Sequence, residues 1–214
     1  MQKYSASPLL RRNAIKNVAK YALFTAGLGS FGLISACSEQ KPQFKAVDIT
    51  GADYAKDFSL TDHNGQRRTL ADFKGKIVVT FFGYTQCPDV CPTTMAEMAE
   101  VKKMLGKDGD KLQVLFVTVD PERDTPELLK AYMANFDPSF LALRPQPAEL
   151  PDLAKNFKIY YKRVDGKTPT SYTMDHSAGS FVHDTQGRVR LFTRYGSGAA
   201  ALVSDLQLLL KNSA

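Results

Sequence analysis

The run Thr80-Phe-Phe-Gly-Tyr-Thr-Gln-Cys-Pro-Asp-Val-Cys-Pro-Thr-Thr94 constrains this chain more than any other stretch. An apolar, β-branched segment, Lys76 to Tyr84, leads into it and predicts a buried strand. A segment with helical spacing leaves it. Met95, Met98, Val101, Met104 and Leu105 recur on one side between Thr94 and Leu105. Pro92 lacks an amide hydrogen and is tolerated only in a first helical turn, so the helix starts near Cys91. Cys87 then lies in the loop before it. Both sulfurs are placed at a helix N-terminus, where the dipole is expected to favour thiolate.

The chain has three cysteines, and the third, Cys37, belongs to a different kind of segment. Residues 1–36 read as a signal peptide. Lys3, Arg11, Arg12, Lys16 and Lys20 form a basic start with no acid. Tyr21 to Ala36 is apolar but short and glycine-rich for a membrane span. Ser35-Ala36 before Cys37 resembles a bacterial lipoprotein cleavage site, which makes Cys37 a lipidation candidate. An ordinary signal peptide or an uncleaved anchor with an incidental cysteine is the alternative, and Arg11-Arg12 is a weak hint of twin-arginine export. Residues 37–50 read as a polar, lipid-anchored tether, and 51–214 as the folded domain. Without the five leader bases, 23 Lys and Arg face 22 Asp and Glu. The net charge of +6 is therefore a targeting signal and gives no nucleic-acid footprint.

Asp57 to Leu70 predicts a hairpin turning at Asn64-Gly65. Leu112 to Val119 predicts a second buried strand. A helix from Pro126 to Phe136 follows, capped by Asp124 or Thr125. Pro147 to Phe157 is a shorter helix. Ser177–His183 and Val189–Thr193 form a second hairpin through Asp184-Thr-Gln-Gly187, and Ala199 to Leu210 closes the chain as a helix. Two parallel strands, a crossover helix and an antiparallel pair give an α/β fold. It is a thioredoxin-like mixed sheet flanked by helices, with an added N-terminal β-hairpin.

The thiol pair fits a redox dithiol, a metal clip or a structural staple. A disulfide across three residues closes a very small loop and stabilises little, so chemistry is favoured over stapling. A three-residue gap is wider than the two usual in dithiol oxidoreductases of this fold. Two thiolates need a further ligand to hold a soft ion. His63 and His183 read as surface residues beside turns. His176 precedes the second hairpin, where the fold brings a loop to face the cysteines. Oxidoreductases place a cis-proline there, and here the nearest upstream proline is Pro169. His176 is thus the candidate third ligand, against the alternative of a structural histidine. Asp175 is a candidate acceptor for its ring, with capping of a turn as the alternative. Met95 and Met98 read as core. In Asp120-Pro-Glu-Arg-Asp124, Asp120 is given a supporting role, while Glu122 and Arg123 read as an ordinary loop with Arg123 paired to an acid.

Three segments carry a family resemblance: Phe82 to Thr94, Val119-Asp-Pro-Glu-Arg-Asp-Thr-Pro126, and Asp175-His-Ser177. Together they resemble the signatures of the Sco/SenC copper-binding proteins. The resemblance implies copper, Cu(I) or Cu(II), on Cys87, Cys91 and His176. It implies a tethered protein on the periplasmic face of a bacterial membrane. It also implies a partner, the copper-bearing subunit of cytochrome c oxidase or another periplasmic copper protein. Gln86 departs from many members and is no ligand. On this reading the chain is a metallochaperone and no enzyme in the turnover sense. Thiol–disulfide reduction of client cysteines through Cys87 and Cys91 is the alternative. A peroxidase is disfavoured, since no resolving cysteine remains in the body.

Overall fold

A computed structural model describes residues 42–168 and 171–212. The leader, Cys37 and Pro169 lie outside them. Ten strands and four α-helices alternate along the described chain: β1 (Val47–Asp48), β2 (Leu60–Asp62), β3 (Arg67–Arg68), β4 (Ile77–Gly83), α1 (Val90–Met104), β5 (Leu112–Thr118), α2 (Pro126–Ala134), β6 (Leu141–Arg144), α3 (Leu150–Phe157), β7 (Tyr161–Val164), β8 (Thr173–His176), β9 (Ser180–His183), β10 (Val189–Thr193) and α4 (Ala199–Lys211). Eight strands form one sheet in the order β1-β10-β9-β4-β5-β6-β2-β3. β7 and β8 form a separate pair.

β4 and β5 sit at the centre and pair in parallel, Ile77 with Leu112 through Gly83 with Thr118. Every residue of both strands is buried. A strand covered on both faces has no solvent side, so its sequence is a continuous apolar run rather than an alternating one. α1 returns the chain from β4 to β5, and α4 packs against α1. On the other side of β4, β9 and β10 continue the sheet antiparallel. Met95, Met98, Val101 and Leu105 are buried as the helical spacing predicts, but Met104 is 46 % exposed and points away from the core.

The predicted N-terminal hairpin is present as β2–β3 and joins the sheet through β6. Its turn is organised by the buried Asp62, whose carboxylate accepts the amides of Asn64 and Gln66 and the Arg68 Nε. Gly65 takes φ +81, open to glycine at low steric cost. β6 is a third parallel strand that the hydrophobic pattern does not single out. It has four residues, of which two are half-exposed. Thr125 caps α2, its side chain accepting the Leu128 amide at 3.2 Å. Asp124 is turned inward instead.

Three further expectations are corrected. The described part of the 37–50 tether is not free of the domain. Val47–Asp48 pairs with β10, and the Lys45 and Ala46 amides both donate at 2.8 Å to the buried carboxylate of Asp205 on α4. A buried carboxylate must be satisfied by donors, and these two amides supply them. His183 is fully buried, its Nε2–H donating to the Ala55 carbonyl at 2.7 Å. His63 is half-buried, its Nδ1 accepting the Ala142 amide at 3.1 Å.

Tyr132 on α2 packs its ring against Phe116 and Phe136, while its hydroxyl is buried with no hydrogen-bond partner among the described residues. Removing a donor that gains nothing on folding lifts a desolvation cost. Tyr132→Phe should raise the urea midpoint, by about 1 kcal/mol of stability. A loss of stability on chemical denaturation would show that the hydroxyl is satisfied.

Candidate metal centre

The site lies where β4 ends. Gly83 closes the strand, Tyr84 to Asp89 form a turn, and α1 begins at Val90 with Pro92 in its first turn. The Cys87 amide donates to the Tyr84 carbonyl at 3.2 Å, which folds the loop back over the strand end. The Thr94 hydroxyl donates to the Val90 carbonyl at 2.7 Å and secures the first turn. Cys87 is half-buried and Cys91 is fully buried. Gly83 makes room for Cys91. A Cβ there would lie 2.8 Å from Cys91 Sγ, 2.8 Å from the Phe81 ring and 2.9 Å from the Phe116 ring. The glycine stands in the motif, so the signal was present in the sequence without its reason.

His176 arrives on β8, paired across to Tyr161. Its Nε2 is 3.4 Å from Cys91 Sγ. Its Nδ1 is 2.9 Å from the Ser177 carbonyl. A carbonyl only accepts, so Nδ1 carries the hydrogen and the Nε2 lone pair faces the sulfur. The imidazole stands edge-on between Phe81 and Tyr84, each ring centre 5.9 Å away. Burial lowers its pKa, opposed by the Ser177 carbonyl and the Asp175 charge, and this favours the neutral ligating form. Asp175 itself is exposed and makes no hydrogen bond to the ring. The orienting acceptor is the Ser177 backbone, which sequence cannot single out because every residue has a carbonyl.

Cys87, Cys91 and His176 thus converge, with their three ligand atoms within 4.8 Å of one another. No other such cluster of His, Cys, Asp or Glu occurs among the described residues, and His63 and His183 are occupied elsewhere. A three-coordinate ion with bonds of about 2.0–2.3 Å spaces its donors by roughly 4 Å, so a small closure of the triangle accommodates one. Two thiolates and one imidazole suit a soft ion.

The expectation that the helix start would favour thiolate fails for Cys91. Burial pushes its thiol well up, and the nearby Cys87 sulfur and Asp124 add to the rise, while only the Tyr84 amide opposes it. Desolvation at a fully buried sulfur outweighs the helix dipole. The metal-free site therefore holds Cys91 protonated at neutral pH, and a bound ion must displace that proton. The sign follows directly. Metal affinity should rise with pH by at least about tenfold per unit through the neutral range, because Cys91 alone releases one proton. Competition titrations at pH 6, 7 and 8 measure the slope, and a flat profile would mean that Cys91 is already ionised.

Behind the loop, Asp124 is fully buried and accepts the Thr85 hydroxyl at 2.6 Å, the Thr85 amide at 3.2 Å and the Thr118 hydroxyl. It ties the root of the cysteine loop to the end of β5. Asp120 is also buried, accepting Arg123 Nε and, at 2.8 Å, the Tyr172 phenol. Asp120 therefore engages Arg123 and Tyr172 rather than the cysteine and histidine side chains.

A thioredoxin-like sheet with a thiol–imidazole cluster at the end of its central strand, able to hold a metal ion, defines a candidate metal-binding domain. The SCO1/SenC family model matches residues 47–211. The SCO2-like protein of Rickettsia felis is 32 % identical over 182 residues, covering 84 % of this chain and 89 % of the relative. The mitochondrial SCO2 homolog of Mus musculus is 35 % identical over 181 residues, covering 81 % and 69 %. Among solved structures, Bradyrhizobium japonicum ScoI with copper bound has a TM-score of 0.66 at 41 % identity, covering 72 % of this chain and 97 % of that one. Apo Sco1 of Thermus thermophilus has a TM-score of 0.70 at 35 % identity, covering 79 % and 99 %. This chain belongs to the SCO1/SenC family.

Proposed function

We propose that this chain is a copper metallochaperone that loads, or prepares for loading, the binuclear copper centre of cytochrome c oxidase. The observation that carries the reading is the convergence of Cys87 and Cys91 with the lone-pair side of His176. The soft sulfur pair suits Cu(I), and imidazole suits either oxidation state. Bradyrhizobium japonicum ScoI, similar over nearly its whole length, was solved with copper bound. Half-buried Cys87 gives the site an open side through which an ion passes to a client. Residues 1–36 act as a signal peptide, acylated Cys37 as the anchor, and the short stretch up to the first strand as the tether. The domain then works at the periplasmic face of a bacterial membrane.

Thiol–disulfide exchange on a client remains a second activity of the same pair. It is favoured by the asymmetry of one accessible sulfur, Cys87, above one buried sulfur, Cys91. In such an exchange Cys87 forms the mixed disulfide and Cys91 resolves it, two electrons passing to the client as the pair oxidises.

Titration of the reduced, metal-free protein with copper(I) and copper(II) tests the main reading. One equivalent should bind, with sulfur-to-copper charge transfer in absorbance and nitrogen coupling in paramagnetic resonance of the copper(II) form. Absence of stoichiometric binding would remove the metallochaperone reading and leave the exchange reaction.

A further inference from the structure

The loop from Asp120 to Asp124 touches both halves of the metal centre through one side chain. Arg123 Nε donates to the Asp120 carboxylate. Its Nη1 donates to Gln86 Oε1 at 3.1 Å and to the Tyr172 carbonyl at 2.9 Å. Its guanidinium carbon lies 3.5 Å from the centre of the Tyr172 ring. Arg163 of β7 lies 3.8 Å from the same ring centre. Gln86 immediately precedes Cys87, and Tyr172 immediately precedes β8, the strand that ends in His176.

β7 and β8 form a sheet of their own, with no ladder, among the described residues, to the eight-stranded sheet that carries the cysteine loop. Backbone pairing therefore does not set the distance between the imidazole and the sulfurs. The short link 177–179 to β9, which pairs with β4, limits that distance, and side-chain contacts between the two bodies fix it within that limit. A guanidinium is suited to this, because its rigid planar fork donates in several directions at once and stacks on an aromatic face. A lysine in its place keeps the charge but loses the fork.

We propose that Arg123 is a positioning residue of the copper site, a bracket that holds the His176 strand in register with the Cys87 loop. The proposal rests on the reading of Cys87, Cys91 and His176 as copper ligands. Without the bracket the β7–β8 pair moves away, and the site falls back to two sulfurs.

The test uses Arg123→Ala and Arg123→Lys in the full chain, with two readouts. In the metal-free protein, amide exchange across Thr173–His176 should accelerate by about tenfold or more while β4 and β5 keep wild-type protection. With copper(II), the nitrogen coupling of the imidazole should weaken or vanish, and affinity should fall by about 10–100-fold, as for supporting residues at other metal sites. Arg123→Lys should behave like Arg123→Ala, and it carries the test if the alanine variant does not fold. Unchanged exchange in Thr173–His176, or a wild-type copper spectrum, overturns the proposal. So does acceleration spread equally over β4 and β5, which would make Arg123 a general stabiliser. If the wild-type protein takes no copper, the exchange readout alone decides, so the two readings fail separately.

Discussion

His176→Ala should lower copper affinity by more than about 100-fold, beyond the loss typical of residues that only support a ligand. The ring supplies the one non-sulfur donor of the cluster, with its Nε2 3.4 Å from Cys91 Sγ. Its removal also leaves a cavity between Phe81 and Tyr84, whose rings both pack against it. Dithiol exchange makes a different demand. It needs only the two sulfurs and should persist within a few-fold of wild type. The measurement is a pair of assays on one variant: copper competition, and reduction of a disulfide substrate. Near-wild-type copper affinity in His176→Ala would sink the three-ligand site. Loss of both activities together would show that the imidazole also serves the thiol chemistry.

Gly83→Ala should be strongly damaging for a single added methyl, because it falls directly against the site. The new Cβ meets Cys91 Sγ, Phe81 and Phe116 inside 3 Å, and none of these can move freely. Phe81 and Phe116 are central core residues with no exposed surface. Overpacking of this kind costs about 1–3 kcal/mol. The sulfur is the most displaceable neighbour, so the variant should lose copper affinity as well as stability. Denaturant unfolding and copper titration on the same preparation check both. A variant of wild-type stability and affinity would mean that the strand end is looser than its packing implies.

The legible parts of this chain are those governed by local rules. β4, β5 and α1 follow from a continuous apolar run, a second such run, and helical spacing after a first-turn proline. The hairpin turns at Asn64-Gly65 and near Gly187 follow from backbone freedom that glycine alone has cheaply. Four strands escaped for physical reasons, among them β8, read as a loop before the second hairpin, which has four residues and pairs only with β7. β1 has two residues and depends on its pairing with β10. β6 has four residues, the middle two buried and the outer two half-exposed, too short a span to show a period. β7 is exposed along three of its four residues, so it has no apolar pattern to read. His183 looked like a turn residue because it adjoins one, yet its neighbours in space, not in sequence, bury it.

The sequence by itself determined the strand–cysteine loop–helix unit and singled out three candidate donors, Cys87, Cys91 and His176, which the structure brings together. Residue chemistry and spacing suffice for that, because the first two lie on one local element and few histidines compete to be the third. Only the tertiary structure decided how the donors are presented. It made Cys91 a buried, protonated thiol, gave the orientation of His176 to the Ser177 carbonyl instead of Asp175, and turned Asp124 inward to tie down the cysteine loop. It also placed Arg123 across the gap between two sheets. Apart from the local His176–Ser177 contact, these are properties of burial and of contacts between segments far apart in the chain, and desolvation and distance exist only once the chain has folded.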